Sequence, residues 1–440
     1  EVSFVDDFGN LEKAYFVFPN SVPQPSASER TLISESELPV DEEVKSLFGT
    51  EGYQYKWGGE LGTASSLTYS FASNDSFVFD EAYTDSFDLI GWGTADDLTA
   101  VLQQSDYSLI TFSDDKKTAM RDVLDDWADI SGINFVEVLE NDGNYGELRF
   151  FQLNFDNWST LGIDDELFNF AGAFAYLPAG QYDAIDGDIF MRHNYVPGDG
   201  TFIGTFSHEV GHALGLNHPQ DGTLYNSFLS VSADQSDRTL MAYDTDIYDE
   251  AGTTLVEPAG DYAYLSGNHP MPLDIEAMEF LYGGSGQVRP EDTVYTFDPD
   301  LYDPSDVWQA QYRTSILDDD GVDTYDFSLI DDETVFLNVD STDGSIQTNP
   351  SPGVFINLNP GTWSTIVSGE ENLIIDTAEE IYQYGQLFTA KDTIIENVIG
   401  SAYNDIIHGN NSDNVISSGN GQDVIHGGDG SDTINAAKGN

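Results

Sequence analysis

Apolar residues recur at helical spacing in three stretches of this chain, which predicts three helices that each bury one face. The first stretch, residues 113–130, opens with Ser113 as a capping residue and two aspartates. The second, residues 202–214, is followed by Gly215, and the third, residues 271–283, ends in a glycine. The apolar positions of the first two helices are Met120, Leu124, Trp127 and Ile130, then Phe202, Phe206, Val210, Ala213 and Leu214.

Short apolar segments before and between the first two of these helices predict strands. They are SLTYSF at 66–71, INFVEVLE at 133–140, ELRFFQL at 147–153, AGAFAYLP at 171–178 and GDIFMRHN at 187–194. Their order relative to the helices predicts a mixed sheet with helices packed against it. Segment 171–178 is small, aromatic and closed by proline, so we expect it at an edge of the sheet, where its backbone can pair with an extended peptide.

Beyond residue 283 the chain is rich in Asp, Asn and Gly and predicts strands and turns without a further helix. Four nine-residue repeats begin at Gly400: GSAYNDIIH, GNNSDNVIS, SGNGQDVIH and GGDGSDTIN. In each repeat, six turn residues offer carbonyl and carboxylate oxygens to a cation, and three strand residues place one isoleucine in a narrow core. Successive turns are expected to alternate sides, so that each stacks on a partner two repeats away. The recurring isoleucines are Ile407, Ile416, Ile425 and Ile434.

A fixed isoleucine period separates this pattern from a disordered Gly/Asn/Asp-rich tail, which has no reason to keep one. The sixth place of each repeat is Asp405, Asn414, Asp423 and Asp432. The sequence therefore predicts calcium-binding turns, and the one that carries Asn414 is expected to be weaker.

The net charge of −65, from 79 acidic and 14 basic residues, is spread along the whole chain. Such a field repels nucleic acid and anionic membrane surfaces, which makes both poor partners. Part of the acidic residues is expected to bind calcium, and most of them to form a solvated surface that tolerates high salt. The aromatic content of 13% argues against a disordered chain.

A length of 440 residues favours two domains, which we place at residues 53–255 and 256–440. Residues 1–52 contain the Pro/Ser-rich stretch SVPQPSASE and are expected to be a flexible extension or pro-segment, with a cover over the active-site cleft as the alternative. The chain has no cysteine, so metal ions are the natural substitute for disulfides. No apolar run approaches the roughly 18 residues that a membrane span needs.

Three of the seven histidines lie close together in the stretch TFSHEVGHALGLNHP. His208 and His212 are four residues apart, so on a helix they lie on one face and can reach the same cation. Gly215 allows a sharp turn that brings His218 back as a third nitrogen ligand. Glu209 is next to a ligand but points elsewhere, as suits a residue that moves a proton of a water on the metal. The pattern predicts one catalytic zinc ion.

An HExxH pattern alone arises by chance on helix surfaces, but the extension HExxHxxGxxH fixes five positions. A second element, LMAY, follows at residues 240–243, where a methionine turn can lie under the zinc and Tyr243 can supply an oxygen. Both elements favour a metal site over ordinary surface residues.

With these elements and the nonapeptide repeats in one chain, the sequence resembles the serralysin family of secreted bacterial zinc endopeptidases, within the metzincin group. The motifs most specific to the family are HEVGHALGLNHP, MAY, MPLDIEAMEFLYG and IIENVIG. The resemblance covers roughly residues 53–440. It implies an α+β metzincin-like protease domain followed by an all-β parallel β-roll. It also implies Glu209 as catalytic base and the zinc ligands His208, His212, His218 and Tyr243.

The resemblance further implies several structural calcium ions. Outside the repeats, the segments RPEDT, DDDGVD and IEN resemble calcium-binding loops of the family. The first two differ from the family pattern at a glycine position. The candidate ligands there are Arg289, Glu291, Thr293, Asp318, Asp320, Gly321, Asp323, Ile394 and Glu396. The candidates within the repeats are Gly400, Asp405, Gly409, Asn414, Gly419, Gly421, Asp423, Gly427, Gly428, Gly430 and Asp432.

The sequence thus predicts a secreted, monomeric zinc endopeptidase that hydrolyses extracellular proteins. The substrate is expected to bind as an extended strand, and Glu209 to assist attack by zinc-bound water. A calcium-dependent adhesin or surface protein with a non-catalytic zinc site is the alternative. That alternative leaves Glu209 without a role.

Overall fold

The structure is a computed structural model that describes a little more than half of the chain in separate segments. The described segments are 30–49, 54–72, 109–140, 145–153, 173–178, 185–193, 200–219, 238–242, 269–284, 291–297, 314–318, 320–330, 353–364 and 387–436. The backbone of six further strands is also described, at 2–5, 11–14, 247–248, 254–256, 336–339 and 346–349.

Helices lie in the first two thirds of the described chain, whereas strands run through all of it. The helices are α1 Glu42–Lys45, α2 Asp114–Ser131, α3 Gly200–Leu214 and α4 Pro272–Tyr282. The strands before α4 are β1 Val2–Val5, β2 Leu11–Ala14, β3 Arg30–Leu32, β4 Tyr55–Trp57, β5 Ser66–Phe71, β6 Asn134–Glu137, β7 Leu148–Leu153, β8 Ala173–Ala175, β9 Ile189–Arg192, β10 Ile247–Tyr248 and β11 Thr254–Val256. The strands after α4 are β12 Val294–Thr296, β13 Thr314–Ile316, β14 Thr324–Asp326, β15 Phe336–Val339, β16 Ile346–Asn349, β17 Phe355–Asn357, β18 Thr362–Ser364, β19 Leu387–Thr389, β20 Asn397–Ile399, β21 Ile406–His408, β22 Val415–Gly419, β23 Val424–His426 and β24 Thr433–Ala436.

The helix predictions are confirmed, and local capping explains their ends. The side chain of Ser113 accepts a hydrogen bond from the N–H of Lys116 at the start of α2. Gly283 takes the left-handed conformation, with φ of 88°, at the end of α4. None of the helices that the structure describes is both long and apolar enough to cross a membrane.

A five-stranded mixed sheet carries the N-terminal core, in the order β6-β5-β7-β9-β8. The first four strands of this order run parallel to each other, and β8 pairs antiparallel with β9. The predicted mixed sheet and the predicted edge position of residues 171–178 are therefore confirmed. Helices pack on the sheet through aromatic rings, as where Phe150 of β7 meets Phe206 of α3 at a centroid distance of 5.2 Å.

The segment 30–49, which lies within the predicted extension or pro-segment of residues 1–52, packs in this core. Strand β3 pairs with β4, and the side chains of Leu47 and Phe48 are fully buried. The ring of Phe48 also contacts Phe280 of α4 at a centroid distance of 5.3 Å. The Pro/Ser-rich composition concealed a short buried segment that follows it.

Helix α4 packs in the same N-terminal core, although the sequence placed residues 256–440 in a second domain. Its residues Ala277, Met278 and Leu281 are fully buried there, together with residues of α2 and α3. Phe388 and Ala390 from the C-terminal region reach the same cluster. The first core therefore extends past residue 256.

The described C-terminal region contains two all-parallel sheets, beside a three-stranded mixed sheet, β13-β19-β18, and an antiparallel pair, β15-β16. One parallel sheet has the order β12-β14-β20-β22-β24 and the other β17-β21-β23. Ile416 pairs with Ile434 in the first sheet and Ile407 with Ile425 in the second, so strands two repeats apart are neighbours, as predicted. Residues of both sheets share one hydrophobic core. No helix occurs in the described residues beyond α4.

Candidate zinc centre and calcium turns

Helix α3 and the turn after it bring three imidazoles together. His208 and His212 project from successive turns of α3, and Gly215 turns the chain with φ of 115°. A Cβ atom at Gly215 would lie 2.9 Å from the carbonyl oxygen of Tyr55, so only glycine fits this turn. The Nε2 atom of His218 then lies 3.0 Å from Nε2 of His208 and 2.9 Å from Nε2 of His212.

Hydrogen bonds behind these imidazoles set the tautomers that a metal requires. Nδ1 of His208 lies 2.5 Å from the carbonyl oxygen of Leu240, and Nδ1 of His212 lies 2.7 Å from that of Leu216. Because a carbonyl only accepts, each Nδ1 carries the proton and each Nε2 turns its lone pair toward the other imidazoles. Among the described residues, this is the single cluster of three or more His, Cys, Asp or Glu side chains suited to a metal.

The three nitrogens fit zinc. Nitrogens bound to one tetrahedral zinc at about 2.0–2.1 Å lie about 3.3–3.4 Å apart, so a few tenths of an ångström of opening admits the ion. Burial, followed by the nearby His218 and His208, holds the pKa of His212 well below its ordinary value. The imidazole therefore stays neutral and keeps the lone pair that a metal needs.

Glu209 lies beside the first histidine and is only 6% exposed. Burial raises the pKa of its carboxyl group to about 8, and its Oε2 atom has no hydrogen-bond partner in the described part of the chain. A buried carboxyl oxygen without a partner is costly in a structure that serves only stability. The arrangement is typical of a group that exchanges a proton with a bound molecule.

Three side chains far from the motif bind the last carbonyls of α3. Nε1 of Trp57 donates to the carbonyl oxygen of Ala213 at 2.8 Å, and the hydroxyl of Tyr282 donates to that of Leu214 at 2.8 Å. Nε2 of Gln54 donates to the carbonyl oxygen of Gly215 at 3.0 Å. These contacts fix the turn that carries His218. The sequence does not predict any of these three contacts, because a single polar atom in a strand, a helix or a loop leaves no periodic pattern.

The methionine turn lies where the sequence predicted it. Residues 238–242 form a turn whose Met241 is fully buried. A Cβ atom at Gly211 of α3 would lie 2.6 Å from Sδ of Met241, so the turn packs directly against the helix that bears the histidines. The predicted ligand Tyr243 lies outside the described residues.

The nonapeptide turns pair across two repeats, as the sequence predicted. The N–H of Asp405 donates to Oδ1 of Asp423 at 3.1 Å, and the N–H of Asn414 donates to Oδ1 of Asp432 at 3.1 Å. Burial raises the pKa of Asp405 to about 6, with a further contribution from the carboxylate of Asp423. A cation between these turns would remove that penalty.

A second group of predicted calcium ligands lies near the start of the C-terminal region. The N–H of Thr293 donates to Oδ1 of Asp323 at 2.8 Å, and the N–H of Asp323 donates to Oε2 of Glu396 at 2.7 Å. Burial, followed by the nearby Asp318, Glu396 and Asp292, raises the pKa of Asp323 to about 6. Carboxylate and backbone oxygens are the ligands that calcium prefers, and these residues stay predicted ligands.

The other predicted calcium ligands outside the repeats have fewer contacts with one another. Gly321 has φ of 121°, and a Cβ atom there would lie 2.8 Å from the carbonyl oxygen of Glu291. Asp320 is exposed and its Oδ1 atom accepts from the N–H of Gly321. The apolar side chain of Ile394 is 48% exposed, so only its backbone oxygen can serve as a ligand. Arg289 lies outside the described residues.

Comparison with known families identifies the class of protein. Residues 91–248 match the matrixin family, peptidase M10, and residues 395–425 and 408–440 match the RTX calcium-binding nonapeptide repeat. The chain therefore carries a metallopeptidase domain of the matrixin type followed by RTX repeats. Zinc is the metal that the first match implies, and calcium the one that the second implies.

Individual relatives narrow this class. The chain is 27% identical over 350 residues to a serralysin of Photorhabdus laumondii, which covers 73% of this chain and 62% of the relative. It is 30% identical over 319 residues to a serralysin of Proteus mirabilis (69% and 55%) and 28% identical over 315 residues to Metalloprotease AprA of Pseudomonas entomophila (68% and 54%). The resemblance to the serralysin family is thereby confirmed. The chain spans little more than half the length of the relatives it matches.

Proposed function

We propose that this protein is a secreted, zinc-dependent endopeptidase that hydrolyses extracellular proteins. The observation that carries the proposal is Glu209, a buried carboxyl group with an unpartnered oxygen beside three converging imidazole nitrogens. A zinc site that serves only structure has no use for such a group. The calcium-dependent adhesin considered from the sequence leaves it equally unexplained, and we do not favour that alternative.

The histidines His208, His212 and His218 would hold the zinc ion. When bound, zinc supplies Lewis acidity, which lowers the pKa of water to about 7 and polarises the carbonyl of the scissile bond. Beside a bound cation the carboxyl group of Glu209 would be ionised, so its free oxygen could accept the proton of the attacking water. The same carboxyl group then returns the proton to the leaving amine. Tyr243 is proposed as a further ligand whose hydroxyl, if it leaves the metal on substrate binding, would donate to the oxyanion.

We propose that the substrate binds as an extended strand along β8. This strand lies at the edge of the sheet and packs against α3, which bears two of the histidines. Its inner edge is taken by β9, so an incoming peptide would use the outer backbone groups. Such pairing aligns the substrate through main-chain atoms, without need for a particular side chain. A monomer suffices for this mode of binding.

For the C-terminal region we propose a parallel β-roll loaded with several calcium ions. The shared core of the two parallel sheets and the paired turns two repeats apart support this architecture. We assign the candidate oxygen ligands named from the sequence to these ions. Since α4 packs with the N-terminal core, we propose the junction between the domains just after Gly284.

The test compares Glu209→Gln with the wild type in casein hydrolysis at saturating zinc and calcium. We expect zinc stoichiometry and thermal stability to be kept while turnover falls about 10²- to 10⁴-fold, the usual effect of removing a general base. Glu137→Gln serves as matched control and should keep full activity, because Glu137 of β6 pairs with Arg121 of α2 and not with the histidines. Proteolysis by Glu209→Gln at the wild-type rate would overturn the proposal.

A further inference from the structure

Asp274, in the first turn of α4, is a fully buried carboxylate that serves the turn beneath the histidines. Its Oδ2 atom accepts from the N–H of Leu240 and from the N–H of Met271, each at 2.8 Å. Its Oδ1 atom accepts from the hydroxyl of Thr239 at 2.5 Å, and that hydroxyl oxygen accepts from the N–H of Met241 at 3.0 Å. One carboxylate thus organises three consecutive residues of the turn.

Leu240 joins this carboxylate to a zinc ligand. Its N–H is held by Asp274, and its carbonyl oxygen accepts the Nδ1 proton of His208 at 2.5 Å. The two groups belong to the peptide units on either side of one residue. A shift of the turn therefore moves the acceptor that sets the tautomer and direction of the His208 ring.

We propose that Asp274 is a positioning residue for the zinc centre, which acts through the Leu240 backbone to hold His208 in its metal-binding tautomer and orientation. The inference rests on the zinc site of the proposed function. A carboxylate suits this position because its Oδ2 atom accepts from both N–H groups, its Oδ1 atom accepts from the hydroxyl, and its charge strengthens all three bonds. An asparagine would lose that charge, and its NH₂ group would face the Thr239 hydroxyl, which would have to accept instead of donate.

The buried position explains why the contact is stiff. The carboxylate is shielded from solvent, so water cannot replace its partners. In a site of low dielectric, hydrogen bonds to a charged acceptor are also stronger than hydrogen bonds between neutral groups. Outer partners of metal-bound histidines typically contribute about 10- to 100-fold to metal affinity. The contribution of Asp274 should lie in that range, because it fixes the acceptor of one of three histidines.

The test measures zinc affinity of the full chain by competition with a chromophoric chelator at saturating calcium, on the Glu209→Gln background to prevent self-cleavage. We expect Asp274→Asn to weaken zinc affinity about 10- to 100-fold and to shift the visible absorption of the Co²⁺-substituted protein. Glu147→Gln is the matched control, since Glu147 also accepts from a threonine hydroxyl and a backbone N–H, those of Thr68, but lies at the start of β7. Its zinc affinity should stay within twofold of the parent protein.

A second variant guards against an Asp274→Asn protein that does not fold. Thr239→Val removes only the hydroxyl between Asp274 and Met241, so zinc affinity should fall by about 2- to 10-fold, the range of one ordinary hydrogen bond. The inference would be overturned by a folded Asp274→Asn protein whose zinc affinity and Co²⁺ spectrum are unchanged. If Asp274→Asn does not fold, the same result for Thr239→Val would overturn it. The proposed zinc centre would then still stand, whereas a parent protein that binds no zinc would overturn both.

Discussion

The hydroxyl of Tyr282 ties α4 to the end of the histidine helix, and its removal gives a sharp test of this packing. It donates to the carbonyl oxygen of Leu214 at 2.8 Å and accepts from the N–H of Trp57 at 3.3 Å. Burial raises the pKa of Tyr282, so the hydroxyl keeps its proton at any working pH. Tyr282→Phe removes both hydrogen bonds and leaves the ring in place. The Leu214 carbonyl and the Trp57 N–H, both buried, then lose this partner.

The expected loss follows from these two groups. A buried backbone group left without a partner costs about 1–3 kcal/mol, and the longer bond from Trp57 belongs at the low end of that range. Together they give about 3 kcal/mol of unfolding free energy. For a domain of about 200 residues, 1 kcal/mol corresponds to about 2–4 °C, so the melting temperature should fall by about 6–12 °C.

Calorimetry of the Glu209→Gln background at saturating calcium isolates the relevant transition, because only the N-terminal unfolding should shift with zinc concentration. Zinc affinity should fall as well, since the Leu214 carbonyl lies in the turn that carries His218. Tyr325→Phe is the matched control: Tyr325 is equally buried, but its hydroxyl pairs with that of Thr389 in the C-terminal core. Tyr325→Phe should lower the melting temperature of the C-terminal transition and leave zinc affinity unchanged. A zinc-dependent transition that moves by less than 2 °C in Tyr282→Phe would refute the reasoning.

Three further outcomes are expected. Chelation of calcium should unfold the region after α4 first, visible as loss of β circular dichroism in a titration. Asp423→Ala should raise the calcium midpoint more than Asp413→Ala does, because Asp423 is the predicted calcium ligand at the sixth place of its repeat; Asp413 is a matched control, since it too accepts from a turn two repeats away. Gly211→Ala should lower both stability and turnover, since overpacking of about 1–3 kcal/mol against Met241 exceeds the gain of about 1 kcal/mol in helix propensity; an unchanged melting temperature would contradict this. At fixed calcium, the melting temperature should rise between 0.1 and 1 M NaCl, because a net charge of −65 is screened as the Debye length falls from about 10 to about 3 Å, and a flat or falling curve would contradict it.

The features that the sequence predicted are those that depend on residues close together along the chain. Ser113 and Gly283 mark helix ends through local hydrogen bonds and backbone conformation. The histidine triad follows from a four-residue spacing and one glycine, and the isoleucine period of nine predicts the ladder in which Ile407 meets Ile425. In each case the information lies within about twenty residues.

The features that the sequence did not predict depend on partners far along the chain. Gln54 binds a carbonyl 161 residues away, and Asp274 binds an N–H 34 residues before it. Neither residue type nor spacing reveals such a contact, because one polar atom at the right place is not a periodic signal. The burial of Leu47 and Phe48 was missed for the same reason, since two apolar residues after a Pro/Ser-rich stretch resemble an ordinary loop.

The long reach of the bonds around α3 also bears on when the catalytic centre can assemble. During synthesis, the three histidines are made before the chain reaches Tyr282, whose bond to Leu214 spans 68 residues. A nascent chain that already contains the whole motif can therefore hold this turn only through Trp57 and Gln54. The turn gains its third contact when α4 has been made and has packed against α3.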